Sequence, residues 1–374
     1  MKVAYFSHSL ASCWNHGNAH FQRGVLRELV RRGHEVEAFE PEEAWSLANL
    51  KKDHGAGGLE PWRAAYPELA STDYRNPMAI AEAVCADVDL VIVHEWSDPV
   101  LVAEIGRRRA EGGRFRLLFH DTHHRVVSDP DAISAFDLSG YDGVLAFGET
   151  VAAVYRRWGW GSRAFVWHEA ADTSLFHPPA EARDRQGAVF IGNWGDGERA
   201  EELDAFLLEP AVAASLTLDI HGVRYPAEAL AALRRRGARY HGWIANVLAP
   251  EVFARHRMTI HVPRRFYVDL LPGIPTIRVF EALACGIPLV CAPWRDSEHL
   301  FRPGVDYLVA PDGAAMSLAM RRLARDDALC AELARQGLHT IRSRHTCAHR
   351  VDELLDIAER LGLPAGRPSV EAAE

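Results

Sequence analysis

The sequence predicts an α/β protein with two doubly wound parallel-sheet domains that face a central cleft. Three observations predict this class. Short apolar strands alternate with amphipathic helices, the strands are continuously apolar, and the pattern restarts after a polar, proline-bounded break at residues 172–187. Continuously apolar strands are typical of parallel sheets covered on both faces. Two such sheets in one chain, each with its ligand-binding edge at the carboxyl ends of the strands, would leave a cleft between them.

The first 40 residues predict a strand–helix–strand unit. Residues 3–6 form a buried type of strand, and apolar residues then recur at helical spacing from Phe21 to Val30. Gly33 stands where a helix ends, before a strand at residues 35–39. Short connections between these elements require parallel strands with a right-handed crossover.

The alternation continues to residue 171. Further strands are predicted at residues 89–94, 116–120, 143–147 and 164–167, with helices at 99–110 and 149–158. Residues 41–80 show no clear period and contain several Gly and Pro residues. We therefore expect that segment to be an excursion from the core.

The second half repeats the architecture without repeating the sequence. Its strands are predicted at residues 188–191, 216–220, 239–240, 258–262 and 289–292, with helices near 197–208, 227–236, 246–255 and 276–285 and two or three helices at the end. The domains are then residues 1–171 and 188–345, with a linker at 172–187. Within 346–374 we expect a helix that packs back toward the first domain and a frayed tail.

Composition restricts the class of protein. The 374 residues carry a formal net charge of −9, with 25% charged and 48% hydrophobic residues, so the chain is globular and a poor general binder of nucleic acid. Six scattered cysteines without a CxxC pair predict reduced thiols and a cytoplasmic location. No apolar run reaches the ~18 residues of a membrane span, so we expect no transmembrane segment.

The most informative stretch leads into the helix predicted at residues 276–285. The N–H groups of Thr276 and Ile277 are free at the start of this helix, which makes an anion site supported by the helix dipole. Arg278 and Glu281 share one helical face, so the Arg could add charge to a diphosphate and the Glu could accept hydrogen bonds from a ribose diol. The alternative is a surface Arg–Glu pair of little consequence.

Polar residues also follow the strand at residues 116–120. His120, Asp121 and His123 lie at its carboxyl end, and there Asp121 or a histidine could take a proton from an acceptor hydroxyl. A structural polar loop ranks second and a metal site third. His94-Glu95, at the end of another strand, is a further candidate, and a satisfied loop pair explains it better.

Three other positions have both a functional and a structural interpretation. Gly17 before a helix would allow close approach of a ligand, or it is an ordinary turn. Gly192 follows a strand directly, with Arg199 within reach of a ligand phosphate or in solvent. Trp243 would line a base pocket or belong to the core.

Residues 278–290, RVFEALACGIPLV, resemble the donor-nucleotide helix of GT-B glycosyltransferases. With the preceding Pro-Thr-Ile they are closest to the CgeB-like group, within the family-4-like glycosyl transferases group 1. Five other segments resemble parts of that family in the same order, at residues 16–21, 31–36, 172–178, 190–194 and 241–243. Members of the family that retain the anomeric configuration often carry a second Glu eight positions before Glu281, where this chain has Gly273.

The resemblance implies the GT-B fold with two Rossmann-like domains, of which residues 1–171 would bind the acceptor and residues 188–345 the nucleotide-sugar. It also implies a hexosyltransferase-type enzyme that moves a sugar from a UDP- or GDP-sugar to an unidentified acceptor, with no metal and no other cofactor. The donor-binding residues are expected to be Glu281, Arg278, Thr276, Ile277, Gly192, Asn193, Arg199, Arg264 and Trp243. The loop that contacts phosphate and acceptor is expected to contribute His16, Gly17, Asn18 and His123, and the catalytic candidates are Asp121, His120 and His20. A nucleotide-sugar epimerase or hydrolase of the same fold, or a non-catalytic nucleotide-sugar-binding protein, remains an alternative.

Overall fold

A computed structural model describes residues 1–180, 184–195 and 197–364. The strands of the first half are β1 Lys2–Phe6, β2 Glu35–Pro41, β3 Ser71–Tyr74, β4 Leu90–His94, β5 Arg116–Asp121, β6 Gly143–Ala146 and β7 Ala164–Val166. Those of the second half are β8 Ala188–Ile191, β9 Leu218–His221, β10 Arg239–Tyr240, β11 Met258–His261, β12 Leu289–Cys291 and β13 Leu308–Val309.

The α-helices of the described chain surround these strands. In the first half they are α1 Ala19–Arg31, α2 Trp45–His54, α3 Glu60–Ala65, α4 Pro77–Cys85, α5 Pro99–Ala110, α6 Arg125–Ser128, α7 Pro130–Ser134 and α8 Glu149–Tyr155. In the second half they are α9 Ala200–Leu203, α10 Glu209–Ala213, α11 Ala227–Arg235, α12 Ala249–Arg255, α13 Arg265–Asp269, α14 Ile277–Ala284, α15 Gly313–Arg325, α16 Asp327–Arg344 and α17 Cys347–Arg360.

Both sheets are parallel and doubly wound, which confirms the predicted fold class. The first has the strand order β3-β2-β1-β4-β5-β6-β7 and the second the order β10-β9-β8-β11-β12-β13. In each, the chain starts in the interior of the sheet and reverses direction there, so the carboxyl ends of the central strands form a crevice. We call the parts of the chain around the two sheets the N-lobe and the C-lobe.

The prediction for residues 41–80 was wrong. This segment contains α2, α3 and β3, and β3 extends the first sheet by pairing with β2. Its helices are short and lie between Gly and Pro residues, and β3 is an edge strand that buries only Tyr74 among its four residues. Short, half-exposed elements carry too few apolar residues for a period to be visible.

Two shorter elements of the C-lobe also differ from the sequence prediction. The loop after β11 contains α13, and β13 adds an edge strand to the second sheet. Helix α14 begins at Ile277, with Thr276 as the extended N-cap residue, and it ends before Gly286, whose φ of +60° suits glycine.

The two lobes share a hydrophobic core. One continuous cluster contains Phe21 and Trp167 of the N-lobe together with Val279 and Phe280 of α14. Such a cluster fixes the lobes close together, so that the crevice between the sheets has defined walls.

Helix α17 packs on α1 of the N-lobe. The Trp167 indole donates a hydrogen bond of 2.8 Å to the Arg350 carbonyl, and Arg32 pairs with Asp352 at 2.5 Å. A Cβ at Gly24 would come within 2.5 Å of Cys347 Sγ, so α1 and α17 approach each other at this glycine. The predicted domain boundaries stay predictions, and residues 181–183 of the linker and 365–374 of the tail lie outside the described residues.

Candidate functional site

A cavity of about 490 Å³ lies between the carboxyl ends of the two sheets. Most of the residues proposed from the sequence line it. They are His16, Gly17, Asn18, His123, Gly192, Asn193, Arg199, Trp243, Arg264, Thr276, Ile277 and Arg278. The crevice expected from the fold is therefore a single cavity to which both lobes contribute.

The start of α14 opens onto this cavity. Thr276, Ile277 and Arg278 line it, and the first N–H groups of a helix have no carbonyl partner within the helix. The Thr276 side chain is held by His261 at the end of β11, with 2.8 Å between Oγ1 and Nε2. Burial lowers the pKa of His261 to about 3, so this ring is neutral and adds no charge to the positive end of the helix dipole.

Four arginines surround the helix start in the C-lobe wall: Arg199, Arg224, Arg264 and Arg278. Arg199 is itself buried, and its guanidinium donates a 2.7 Å hydrogen bond to the Val262 carbonyl. Burial and the nearby Arg264 lower its pKa to about 10, which leaves it cationic at neutral pH. The arrangement concentrates positive charge on one side of the cavity and suits a polyanion.

Glu281 does not line the cavity. The side chain is fully buried behind Arg278, which forms an ion pair with one carboxylate oxygen. The Asn246 amide donates a 2.6 Å hydrogen bond to the other oxygen, and His20 Nδ1 lies 3.5 Å from it. Arg278 therefore lies between Glu281 and the cavity and already occupies one carboxylate oxygen.

His20 supports Glu281 from the N-lobe and does not face the cavity either. Its Nε2 accepts the Asp172 backbone N–H at 3.0 Å, which leaves the ring proton on Nδ1, the nitrogen that faces Glu281. Burial lowers the pKa of His20. The geometry makes this neutral imidazole a positioning residue for the carboxylate.

The structure does not bring His120 and Asp121 to the cavity. His120 is fully buried, with its Nδ1 2.7 Å from the Tyr5 hydroxyl, and burial lowers its pKa to about 3. Asp121 accepts a 2.8 Å hydrogen bond from the Tyr155 hydroxyl, and burial raises its pKa. Both belong to β5 itself, and the chain turns into the crevice only at His123.

His94 and Glu95 are also enclosed by protein. His94 Nε2 lies 2.9 Å from Thr122 Oγ1, and Glu95 forms an ion pair with Arg125. No group of three or more His, Cys, Asp or Glu side chains within residues 1–180, 184–195 and 197–364 is arranged to hold a metal ion.

Glu169 is a cavity residue that the sequence reasoning missed. It lies just after β7, is 4% exposed, and its Oε1 has no hydrogen-bond partner among the described residues. Burial, reinforced by the nearby Glu281, raises its pKa to about 8. Among the described lining residues it is the sole carboxyl group, and its place at a strand end is the signal that would have found it.

Gly273 stands where the second glutamate of related enzymes would be. Its φ is +95°, and a Cβ there would come within 2.8 Å of Glu298 Oε1 and Ser297 Oγ. The local backbone therefore requires glycine at this position. Glu298 is committed elsewhere, because it accepts the Glu149 N–H at 2.9 Å and pairs with His168 at 2.8 Å.

The fold and this cavity define a two-lobed α/β protein of the GT-B type with an arginine-rich cleft between its lobes. Residues 199–356 match the family described as "Glycosyl transferase-like", and these residues include α14 and all four arginines of the cavity. The C-lobe therefore carries a glycosyl transferase-like domain, and the chain as a whole has the GT-B fold. No curated protein sequence matches the chain.

Solved structures with the same fold cover almost the whole chain. A glycosyltransferase from Rickettsia africae aligns with a TM-score of 0.65 at 9% identity, over 96% of this chain and 98% of that one. HepE from Anabaena, in complex with UDP, aligns with a TM-score of 0.65 at 13% identity, over 96% of this chain and 100% of that one. Sucrose-phosphate synthase from Thermosynechococcus elongatus aligns with a TM-score of 0.65 at 15% identity, over 96% of this chain and 99% of that one. The described helices include none with the length and hydropathy needed to cross a membrane.

Proposed function

We propose that the protein transfers a hexose from a UDP- or GDP-sugar to an acceptor hydroxyl without a metal ion. The observation that carries this proposal is the convergence of the α14 start and four arginines in one cavity between the lobes. The donor diphosphate would accept hydrogen bonds from the first N–H groups of α14. HepE, a protein of the same fold, binds UDP, which supports a nucleotide donor here.

Arg278 links the two halves of donor recognition. It pairs with Glu281, and a bound diphosphate would compete for its guanidinium. Once Arg278 turns toward the phosphates, a Glu281 oxygen is free to accept hydrogen bonds from the ribose diol. Asn246 and His20 hold the carboxylate in place throughout.

In the proposed transfer, the acceptor oxygen forms a bond to the anomeric carbon of the donor sugar. The bond between that carbon and the β-phosphate oxygen breaks. Arg264 and Arg278 would stabilise the charge of the departing diphosphate, so these two arginines would take the role of a divalent cation. Glu169 would take the acceptor proton, because it is the carboxyl group among the described residues that faces the cavity. The cytoplasmic location inferred from six cysteines stays a prediction; all six are free thiols in the structure.

Calorimetry with UDP, GDP and their hexose conjugates, with and without EDTA, tests the proposal. Wild type should bind one nucleotide series equally well in EDTA, and Arg264→Ala and Arg278→Ala should each weaken binding at least ~10-fold, since each removes a charged hydrogen-bond donor. Arg335→Ala, on the exposed surface of α16, is the matched control. Absence of nucleotide binding in wild type would overturn the assignment.

Product analysis separates transfer from the other activities of the same cavity. With donor alone, an epimerase changes the sugar and a hydrolase releases it, whereas a transferase needs an acceptor for rapid turnover. Binding without any turnover over a broad acceptor panel would favour a non-catalytic nucleotide-sugar-binding protein.

A further inference from the structure

The N-lobe wall of the cavity differs in chemistry from the C-lobe wall. Two indoles and three imidazoles line one part of it, which we call the aromatic end: His16, Trp45, Trp96, His123 and His124. Trp45 comes from α2, in the segment whose sequence showed no period, and Trp96 follows β4. The other residues come from the loops after β1 and β5.

Four rings of the aromatic end contact one another in series, and His16 joins them through His8. Trp45 and Trp96 have centroids 6.4 Å apart in an edge-to-face arrangement, and Trp96 meets His123 at 5.3 Å. His8 supports Trp45 from behind at 4.7 Å, and the Arg125 guanidinium lies 3.9 Å from the Trp96 ring centre. Both indoles are held in place but remain partly exposed to the cavity.

The imidazoles at this end are neutral at physiological pH. Burial lowers the pKa of His123 to about 2 and that of His124 to about 4, and it also depresses the pKa of His16. His16 Nε2 and His123 Nδ1 are buried atoms that find no hydrogen-bond partner in the described chain. Each is an unused hydrogen-bonding position beside an exposed indole.

Charge separates the two ends. The described residues that line the aromatic end include no Lys or Arg, whereas the C-lobe wall has four arginines. The guanidinium nearest to the indoles, that of Arg125, is already ion-paired with Glu95 and lies against Trp96, so an anionic acceptor would have to compete with Glu95 for it. A molecule with apolar faces and several uncharged hydroxyl groups fits both the indole surfaces and the unused nitrogens.

We propose that the aromatic end is the acceptor subsite and that the acceptor is an uncharged saccharide. This inference rests on the proposed glycosyl transfer. The C–H faces of the sugar ring pack on Trp45 and Trp96, and its hydroxyls bond to His16 and His123. The reacting hydroxyl forms the new bond to the donor's anomeric carbon, the nucleoside diphosphate leaves, and the acceptor proton passes to Glu169. A flat phenol would use the indoles but would leave both nitrogens unpaired.

Saturation-transfer NMR on the full chain, with and without UDP or GDP, tests the acceptor class directly. The probes are the methyl glycosides of glucose, galactose, mannose and N-acetylglucosamine, together with glucuronic acid, glucose 6-phosphate and 4-nitrophenol. At least one methyl glycoside should bind, and Trp45→Ala and Trp96→Ala should each weaken it at least ~10-fold. The Phe variants keep a ring and should retain most binding, which also excludes misfolding as the cause. Trp158→Ala, an exposed Trp outside the cavity, is the control.

Failure of this inference can be distinguished from failure of the proposed function. If nucleotides bind but only the phenol, only the anionic probes or no probe binds, the saccharide subsite is wrong and donor recognition stands. Glycoside binding that survives both Ala variants also overturns it. If no nucleotide binds, the glycosyltransferase proposal fails, and glycoside binding in the nucleotide-free sample still decides the nature of the aromatic end.

Discussion

Glu169 and Glu281 are buried carboxyl groups with opposite surroundings. Glu281 has a guanidinium on one oxygen and an amide N–H on the other, with the N–H side of His20 nearby. Glu169 has no such partner among the described residues, and burial beside Glu281 raises its pKa to about 8. Glu281 is therefore held in place by its partners, whereas Glu169 titrates near the working pH, as a proton acceptor should.

Substitution of Glu169 by Gln should separate chemistry from binding. We expect kcat to fall by about 10²–10⁴-fold, the usual contribution of a general base, while the Kd of the nucleotide from calorimetry changes little. In wild type, kcat/KM should rise with pH through about 8, because the base acts in its ionised form. That rise should be absent in Glu169→Gln.

Glu201→Gln, an exposed carboxyl on α9, is the matched control for this prediction. Stability provides a second measurement. A carboxyl whose pKa is raised in the folded state contributes stability that is complete below about pH 4.5 and is lost as the pH rises through about 8. Glu169→Gln should therefore melt higher than wild type at pH 8.5, with a smaller difference at pH 5. An unchanged pH–rate profile in this variant would remove Glu169 from the mechanism.

Element by element, the strands and the ligand-binding helix could be predicted, but the walls of the cavity could not. β4, β5 and α14 are long apolar or strongly periodic segments, and they were found with small errors at their ends. α2 lies in a Gly- and Pro-rich segment and contributes Trp45, which no spacing rule connects to the cavity. His120 and Asp121 were placed at the correct edge of the sheet, but the face on which a side chain lies at a strand end depends on the turn that follows.

The loop before α1 lies directly on the start of α14. A Cβ at Gly17 would come within 3.3 Å of Ile277 Cγ2, so Gly17→Val would push the two lobes apart at the diphosphate site. We expect the KM for the donor to rise at least ~10-fold with little change in melting temperature. Gly57→Val is the control, because nothing lies within 4 Å of a Cβ there. Equal donor KM values in the two variants would mean that this contact does not shape the site.

The contact between α1 and α17 should be sensitive to added volume. A Cβ at Gly24 would lie 2.5 Å from Cys347 Sγ and 2.7 Å from Asp172 Cβ, both in packed surroundings. Gly24→Val should lower the free energy of unfolding in urea by about 1–3 kcal/mol, the usual cost of overpacking. The Gly57→Val protein serves again as the reference, and equal stability of the two would show that α17 adapts to the added methyl groups.

The charge of the cavity is opposite in sign to the net charge of the whole molecule. The chain carries a net −9, yet its cavity gathers four arginines against one carboxyl group among the described lining residues. A positive cleft in an acidic protein attracts anionic ligands to one place and repels them elsewhere. The donor and acceptor proposals use the two ends of this same cavity, the cationic end for the nucleotide and the neutral aromatic end for the saccharide.

The molecule as a whole should be unusually sensitive to acid. Burial depresses the pKa of His120, His261 and His345 to about 3 and also lowers those of His16 and His94. Because these rings are neutral when folded and titrate near 6.5 when unfolded, protons bind preferentially to the unfolded chain below that pH. Each fully buried ring then costs about 2 kcal/mol of stability between pH 6.5 and 5.

The melting temperature should consequently fall over this interval, although by less than the rings alone would cause, because the raised pKa of Glu169 stabilises the folded state as the pH falls. His120→Gln should melt lower than wild type at pH 7.5, since it loses packing against Trp167, but it should lose less on acidification because one of the titrating rings is gone. His177→Gln, at an exposed position, should follow the wild-type curve throughout. Parallel wild-type and His120→Gln curves from pH 7.5 to 5 would mean that this ring is protonated in the folded protein, which its contact with the Tyr5 hydroxyl and its aromatic surroundings oppose.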